Sequence, residues 1–179
     1  MYKGLIELPE RKYLGFGIIM PWENNLEMQF GLWLNGIESQ KIKTLEELCG
    51  SDQATGIFCY RCDPETKTFS YHIACENKNN ASSTEFEALK INAGTFAQFE
   101  NKCDDYSDRF KAYNDLCEEI WGQWLPNSGY ISLIELETLG CVEGYASLEI
   151  YDTGDPMTVP YRFKILLPVK KKIEVLFQS

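Results

Sequence analysis

The sequence predicts an α+β fold in which a strand, a helix and several further strands occur twice in tandem. Two segments, residues 23–39 and 104–121, carry apolar residues at the three- and four-residue spacing of half-buried helices. Each is followed by runs rich in β-branched and aromatic residues that are bounded by turn formers, as strands are. The two halves share negligible sequence identity, so the predicted repeat is one of element order only.

The first half begins with a strand over residues 11–20, which ends at Pro21 because proline cannot continue strand pairing. The helix over residues 23–39 follows. Its apolar stripe consists of Leu26, Phe30, Trp33, Leu34 and Ile37. A β-hairpin over residues 54–76, with a turn that contains an Asp-Pro pair, and a strand over residues 86–91 complete this half.

The second half repeats this order. A strand over residues 94–100 precedes the helix over residues 104–121, which starts behind capping candidates such as Asp105 and Ser107. A turn at residues 126–129 ends the helical pattern. Three strands follow, over residues 130–137, 145–151 and 161–168.

Charge and hydropathy exclude several classes of function. The chain carries a net charge of −10, which would repel a phosphate backbone, so direct nucleic-acid binding is not expected. No segment combines a helix-turn-helix pattern with basic charge, and no apolar run approaches the length of a membrane span. We expect a cytoplasmic protein.

The cysteines and the single histidine argue against a metal or catalytic centre. Seven cysteines without regular spacing, and no signal peptide before them, predict reduced thiols. Cys59 and Cys62 lie three apart in a predicted strand, on opposite faces, and no second pair completes a zinc site. His72 has no nucleophile motif beside it, and phosphate-binding and dinucleotide fingerprints are absent. We expect no cofactor and no metal, and the sequence favours a binding protein over an enzyme.

The end of the chain is excluded from the fold prediction. Residues 174–178 resemble the recognition sequence of a picornaviral protease that is used to remove purification tags. We interpret residues 173–179 as a cleavage scar, the alternative being a natural apolar tail.

Several segments, in the correct order over about 160 residues, resemble the GyrI-like family of small-molecule-binding domains, which includes ligand domains of AraC-type and MerR-type regulators. The most specific segment is residues 120–130, IWGQWLPNSGY. The others are residues 7–15, 21–23, 63–71, 91–100, 148–152 and 167–170. The resemblance implies two modules, about residues 1–91 and 92–172, related by a pseudo-twofold axis. It also implies antiparallel sheets, helices on one side, and a ligand groove between the halves.

Period-two alternation assigns the late strands to two faces. In the strand over residues 145–151 the apolar face, expected under the helices, comprises Ala146, Leu148 and Ile150. The face expected in the groove comprises Tyr145, Ser147, Glu149 and Tyr151. In the last strand Phe163, Ile165 and Leu167 are expected under the helices, and Arg162, Lys164 and Leu166 in the groove.

Glu149 and Lys164 dominate the predicted site. Glu149 matches a glutamate common in the family and, beside tyrosines, suits cation binding, although a solvated strand glutamate is the alternative. At the position of Lys164 many relatives carry a second glutamate. If the two residues lie on neighbouring strands, we expect their side chains to pair across the groove, which would leave it nearly neutral and would make an anionic or zwitterionic ligand credible.

Four aromatic residues are further ligand-binding candidates: Trp22, Tyr60, Tyr71 and Trp121. Trp22 follows a strand where relatives often hold a pocket-lining aromatic, and core packing is an equal alternative. For the other three, core or rim packing is the main alternative.

The sequence thus predicts a protein that senses or sequesters an aromatic or amphiphilic small molecule, with a link to transcription regulation through a regulator as partner. Two alternatives stay open. One is hydrolysis of cyclopropane-bearing toxins, with Glu149 as base through water. The other is inhibition of DNA gyrase by an acidic surface.

Overall fold

The structure is a computed structural model that describes residues 1–134 and 142–172. The first half of the described chain contains β1 (Tyr2–Leu8), β2 (Arg11–Pro21), α1 (Leu26–Glu38), α2 (Lys41–Cys49), β3 (Ala54–Asp63), β4 (Thr68–Glu76) and β5 (Glu87–Ile91). The second half contains β6 (Gly94–Cys103), α3 (Arg109–Cys117), a π-helical segment (Glu118–Trp124), α4 (Leu125–Asn127), β7 (Tyr130–Ser132), β8 (Ser147–Tyr151) and β9 (Tyr161–Lys171).

The described strands form one antiparallel sheet in the order β1-β6-β9-β8-β3-β4-β2-β5, with β7 paired to β9. β3 and β8 pair at the centre, and on either side of them the strand order is equivalent: β4, β2 and β5 on one side, β9, β6 and β1 on the other. The α+β prediction with antiparallel strands is confirmed. β1 pairs with β6, so in space the first strand of the chain belongs to the second half.

Both faces of this sheet are buried. On one face, the helices contribute Trp33, Leu45 and Tyr113 to a core shared with strand residues such as Tyr71 and Phe163. On the other face a second core consists of strand residues together with Ala146, which directly precedes β8: Tyr13, Ile57, Ala74, Leu89, Ile91, Phe96, Ala146, Leu148 and Leu166. The central strands therefore bury side chains in both directions.

The face assigned to β8 in the sequence analysis is wrong. Leu148 and Ala146 belong to the second core, away from the helices, whereas Tyr151 packs in the helix-side core. In β9 the assignment of Phe163, Ile165 and Leu167 to the helix side is confirmed.

Two elements were not predicted from the sequence, and one helix was predicted as continuous although the structure divides it. β1 and α2 are absent from the prediction, and the single helix predicted over residues 104–121 is divided between α3 and the π-helical segment. α2 buries only Ile42, Leu45 and Cys49, and it ends at Gly50 in the left-handed conformation that favours glycine (φ 64°). Among the described residues, the predicted strand over residues 130–137 forms only β7, which ends at Ser132 and is followed by a turn at residues 133–134. Residues 135–137 and the tail at 173–179 lie outside the described residues.

The cysteines are mostly free. Cys49, Cys59, Cys75, Cys103 and Cys117 carry free thiols. Cys62 is disulfide-bonded, so the expectation of reduced thiols is wrong at this position. Cys141 lies outside the described residues.

Candidate functional site

Glu149 lies at the centre of the sheet, on β8, and is 1% exposed. Its register partner on β3 is Gly56. A Cβ atom on Gly56 would lie 2.4 Å from Tyr71 Oη and 2.9 Å from Glu149 Oε2. The missing side chain of Gly56 therefore provides the space in which the Glu149 carboxylate and the Tyr71 hydroxyl meet.

Four side chains direct donors at this carboxylate. Tyr71 Oη and Gln29 Nε2 donate to Oε2 over 2.9 Å and 2.8 Å, and Tyr113 Oη donates to Oε1. Tyr151 Oη lies 3.5 Å from Oε2. Gln29 lies on α1 and Tyr71 on β4, whereas Tyr113 lies on α3, so both halves of the chain hold the group. We call Glu149, Tyr71, Tyr113, Tyr151 and Gln29 the carboxylate cluster.

The indole of Trp33 contacts two tyrosines of the cluster and fixes their orientation. Its Nε1 donates to Tyr71 Oη over 2.8 Å, which leaves the Tyr71 proton directed at Glu149. The Trp33 ring also packs edge-on against Tyr151, with the centroids 5.5 Å apart. The tyrosines are thus held as donors by packing and by a second hydrogen bond.

The pKa of Glu149 in this cluster is unusually high for a glutamate. Burial raises the pKa of Glu149 to about 7, and hydrogen bonds from Tyr113, Tyr71 and Tyr151 oppose this shift. Burial and the adjacent Glu149 raise the pKa of the three tyrosines well above the usual value, so they remain protonated donors. Within the described part of the chain, Glu149 takes part in no ion pair of 4 Å or less.

A cleft of about 580 Å³ opens between the start of α1 and the face of α3. Its lining residues come from both halves: Trp22, Asn24, Asn25, Leu26, Glu27, Phe58, Phe110, Tyr113, Asn114 and Cys117. Among the described residues that line it, one is acidic and none is lysine or arginine. Tyr113 lies in the cleft wall and also bonds to Glu149, so the carboxylate cluster lies directly behind this wall.

A smaller cavity of about 30 Å³ continues inward from the cleft. It shares Phe58, Tyr113 and Cys117 with the cleft and is otherwise lined by Ile120, Trp121, Ile134, Ser147, Ile165 and Leu167. Its walls are mainly apolar. The α1–α3 cleft therefore leads toward the helix-side core.

Four of the residues predicted from the sequence lie on the helix side of the sheet, in or beside this site. Tyr71, Tyr151 and Glu149 belong to the carboxylate cluster. Trp22 is half-buried in the cleft wall, where its Nε1 donates to the Thr68 carbonyl over 3.2 Å.

The structure does not bring Lys164 to Glu149. Glu149 pairs in register with Ile165 of β9, whereas Lys164 pairs with Ile150, so the two side chains lie on opposite faces of the sheet. Lys164 is exposed and lies 3.8 Å from Glu100. The expected pairing across a groove is wrong. Side chains alternate between the two faces along each strand, and in this register Glu149 and Lys164 point to opposite faces.

The remaining predicted residues lie outside both the α1–α3 cleft and the carboxylate cluster. Leu166 is buried in the second core, and Tyr60 packs against that core, with its hydroxyl accepting a hydrogen bond from the Lys90 amide. Trp121 is 38% exposed and borders only the small cavity. Tyr145 donates to the Ala93 carbonyl and lines a different cleft, also about 580 Å³, between β1, β6 and β9.

The sequence did not indicate four of the site residues: Gln29, Trp33, Tyr113 and Gly56. Gln29 and Tyr113 had a detectable signal, since each is a polar or hydroxyl-bearing residue that falls among the buried positions of a helix. A polar side chain there requires a buried partner. For Gly56 the sequence contains no such signal, because its role depends on which residue lies opposite it in the neighbouring strand.

Two further observations limit the chemistry of the described residues. In residues 1–134 and 142–172, no three side chains of the metal-ligating types His, Cys, Asp and Glu are grouped to hold an ion. Among the helices that the structure describes, none combines the length and the apolar character of a membrane-spanning segment.

The chain is similar in sequence to one protein family and in fold to several solved structures. Residues 4–169 match the model of a family described as integron-associated effector binding protein. No curated protein matches the chain.

Several solved structures share the fold. The structure of SAV2435 bound to tetraphenylphosphonium has 18% sequence identity, a TM-score of 0.70, and coverage of 98% of this chain and 96% of the other. An integron cassette protein from the mobile metagenome of Vibrio cholerae has 14% identity, a TM-score of 0.60, and coverage of 94% and 97%. An EcmrR–DNA complex has 18% identity and a TM-score of 0.57, with coverage of 95% of this chain and 58% of EcmrR.

Proposed function

Because the chain belongs to the family of integron-associated effector-binding proteins, we propose that it binds a small lipophilic cation in the α1–α3 cleft, with Glu149 as the counter-charge. One observation carries the proposal. Glu149 is almost completely buried, and among the described residues it has hydrogen-bond donors around it but no cationic partner within 4 Å. A buried carboxylate without a counter-charge attracts a cation more strongly than an exposed one does.

The surroundings of Glu149 favour an aromatic or amphiphilic cation. Tyr113, Phe110, Phe58 and Trp22 present rings to the cleft, and the faces of such rings attract cations and pack against apolar groups. Since Lys164 lies on the opposite face of the sheet, it does not neutralise Glu149. The case for an anionic or zwitterionic ligand, which depended on that pairing, loses its basis.

The relative SAV2435 was solved with tetraphenylphosphonium, which is a cation of the class that we propose. The ligand would reach the carboxylate past Tyr113, since this residue lies between the cleft and Glu149. Binding there would join the two halves of the chain, because the walls of the cleft come from both. Such a domain could report its ligand to a regulator, or sequester it.

Titration with tetraphenylphosphonium tests this function. We expect saturable binding, measured by calorimetry or by quenching of tryptophan fluorescence, and a ligand-dependent rise in melting temperature. Glu149→Gln should weaken binding at least tenfold, because it removes the counter-charge. Glu100→Gln is the matched control, since Glu100 is a half-buried glutamate on the other face of the sheet.

The proposal fails if a panel of lipophilic cations at high micromolar concentration leaves both the fluorescence and the melting temperature unchanged. It also fails if Glu149→Gln binds as well as the unaltered protein.

A further inference from the structure

Gln29 has a buried acceptor that no described residue satisfies. Its side chain is 0% exposed, on α1, and its Nε2 donates to Glu149 Oε2 over 2.8 Å. Its Oε1 is buried and receives no hydrogen bond from the described residues. Buried polar atoms in native proteins nearly always have a partner, so this atom points to a group that joins the site.

The orientation of this amide is determined by its neighbour. Turning the amide over would direct Oε1 at the Glu149 carboxylate and place two acceptors face to face. The carboxylate itself is surrounded by donors from Tyr71, Tyr113 and Gln29. What this site lacks is therefore a donor for Gln29.

Two neighbours of Gln29 lie in the cleft wall. Leu26, one helical turn before Gln29, is part of the cleft wall, and so is Tyr113, which bonds to the same carboxylate as Gln29 does. A ligand that passes Tyr113 toward Glu149 would therefore meet Gln29 as well.

We propose that the cationic centre of the ligand carries N–H groups, as in a protonated amine, an amidinium or a guanidinium, and that one of them donates to Gln29 Oε1. This inference rests on the function proposed above and narrows its ligand class. A quaternary ammonium or a phosphonium supplies only the charge and leaves Gln29 Oε1 without a donor. An N–H cation satisfies both the charge and the acceptor.

A matched pair of ligands tests the inference. The probes are biphenylmethylamine, protonated, and its trimethylammonium derivative, both titrated by calorimetry at about pH 8, where Glu149 is mostly ionised. We expect the amine to bind about tenfold more tightly, the usual effect of one charge-assisted hydrogen bond. In Gln29→Met, which keeps the side-chain length but removes the amide, the two affinities should become equal.

The variant separates hydrogen bonding from ligand size, because a preference caused by the smaller amine would persist in Gln29→Met. Gln98→Met is the matched control, since Gln98 also donates to a glutamate, Glu100, over 2.8 Å on the other face of the sheet. If Gln29→Met does not fold by circular dichroism, Gln29→Leu takes its place.

Three results would overturn the inference: equal binding of the two probes to the unaltered protein, tighter binding of the trimethylammonium compound, or an unchanged preference in Gln29→Met. In each of these cases binding of tetraphenylphosphonium would leave the proposed function standing. Absence of binding by both probes and by tetraphenylphosphonium would overturn both.

Discussion

At the scale of single residues, Glu149 is stabilised by neutral donors in place of a counter-charge. Its pKa of about 7 reflects burial, which favours the neutral acid, against tyrosine hydrogen bonds, which favour the carboxylate. The group is therefore close to half-ionised at neutral pH. Proton release and cation binding should be coupled at this residue.

The first prediction concerns the pH dependence of stability. The pKa of Glu149 rises from 4.5 in the unfolded chain to about 7 in the native state, so the native state holds this proton more tightly. The resulting stabilisation is complete below about pH 4.5 and is lost as the pH rises through 7, a change of roughly 3 kcal/mol. Urea unfolding of the unaltered protein and of Glu149→Gln, between those pH values, should show this difference in slope.

Other groups also titrate in this range, so the informative quantity is the difference between the protein and its variant. Parallel stability curves for Glu149→Gln and the unaltered protein would contradict the assigned pKa.

A second prediction concerns Gly56. Gly56→Ala places a methyl group 2.4 Å from Tyr71 Oη and 2.9 Å from Glu149 Oε2, so we expect a loss of about 1–3 kcal/mol of stability and weaker binding of tetraphenylphosphonium. Adding Tyr71→Phe removes the closest atom and should restore part of the stability. Gly31→Ala on α1, where the new atom meets nothing within 4 Å, is the control and should stabilise by up to about 1 kcal/mol. Additive effects of Gly56→Ala and Tyr71→Phe would show that no such collision exists.

At the scale of elements, the sequence predicted which segments form helices and strands better than it predicted which way they face. The stripe of α1, with Phe30 and Trp33, was sufficient for the helix. In β8, however, Ser147, Leu148, Glu149 and Tyr151 are all buried, because each face of the sheet has its own core. Period-two alternation then shows which residues share a face, but not which face lies under the helices. The face with Ala146, Leu148 and Ile150 was for this reason assigned wrongly to the helix side.

The contact between α1 and α3 provides a prediction at this scale. The Phe30 ring lies 5.3 Å from Phe110 and 6.4 Å from Tyr113, and the Arg109 guanidinium lies over the Phe110 ring at 4.3 Å. Phe30→Ala should cost about 3–5 kcal/mol in urea unfolding, because it leaves a cavity where the helices meet. Leu34→Ala, on the exposed side of α1, should cost well under 1 kcal/mol. Similar costs for the two variants would mean that the helices are not packed through Phe30.

At the scale of the whole molecule, the sheet consists of two units with equivalent strand order, which meet where β3 pairs with β8. β4 and β5 pair antiparallel with β2 on its two sides and so run parallel to each other, and the ten residues 77–86 connect them. β9 and β1 have the same relation to β6, but no chain joins them in that order. The sequence indicated the repeated order of elements. It did not indicate that β1 completes the second unit, since long-range strand pairing leaves no local signal.

This arrangement predicts that the chain tolerates circular permutation. A chain that begins at Arg11 and carries residues 1–10 after residue 172, joined by a flexible linker of ten residues like the connection 77–86, keeps every strand pair that the structure describes. We expect it to fold and to bind tetraphenylphosphonium with an unchanged Kd. A chain that begins at Arg11 without β1 is the control. It exposes Phe96 and Phe99, which are now 0% exposed, and should lose several kcal/mol of stability or fail to fold. If the truncated chain were as stable as the permuted one, β1 would not be a structural part of the second unit.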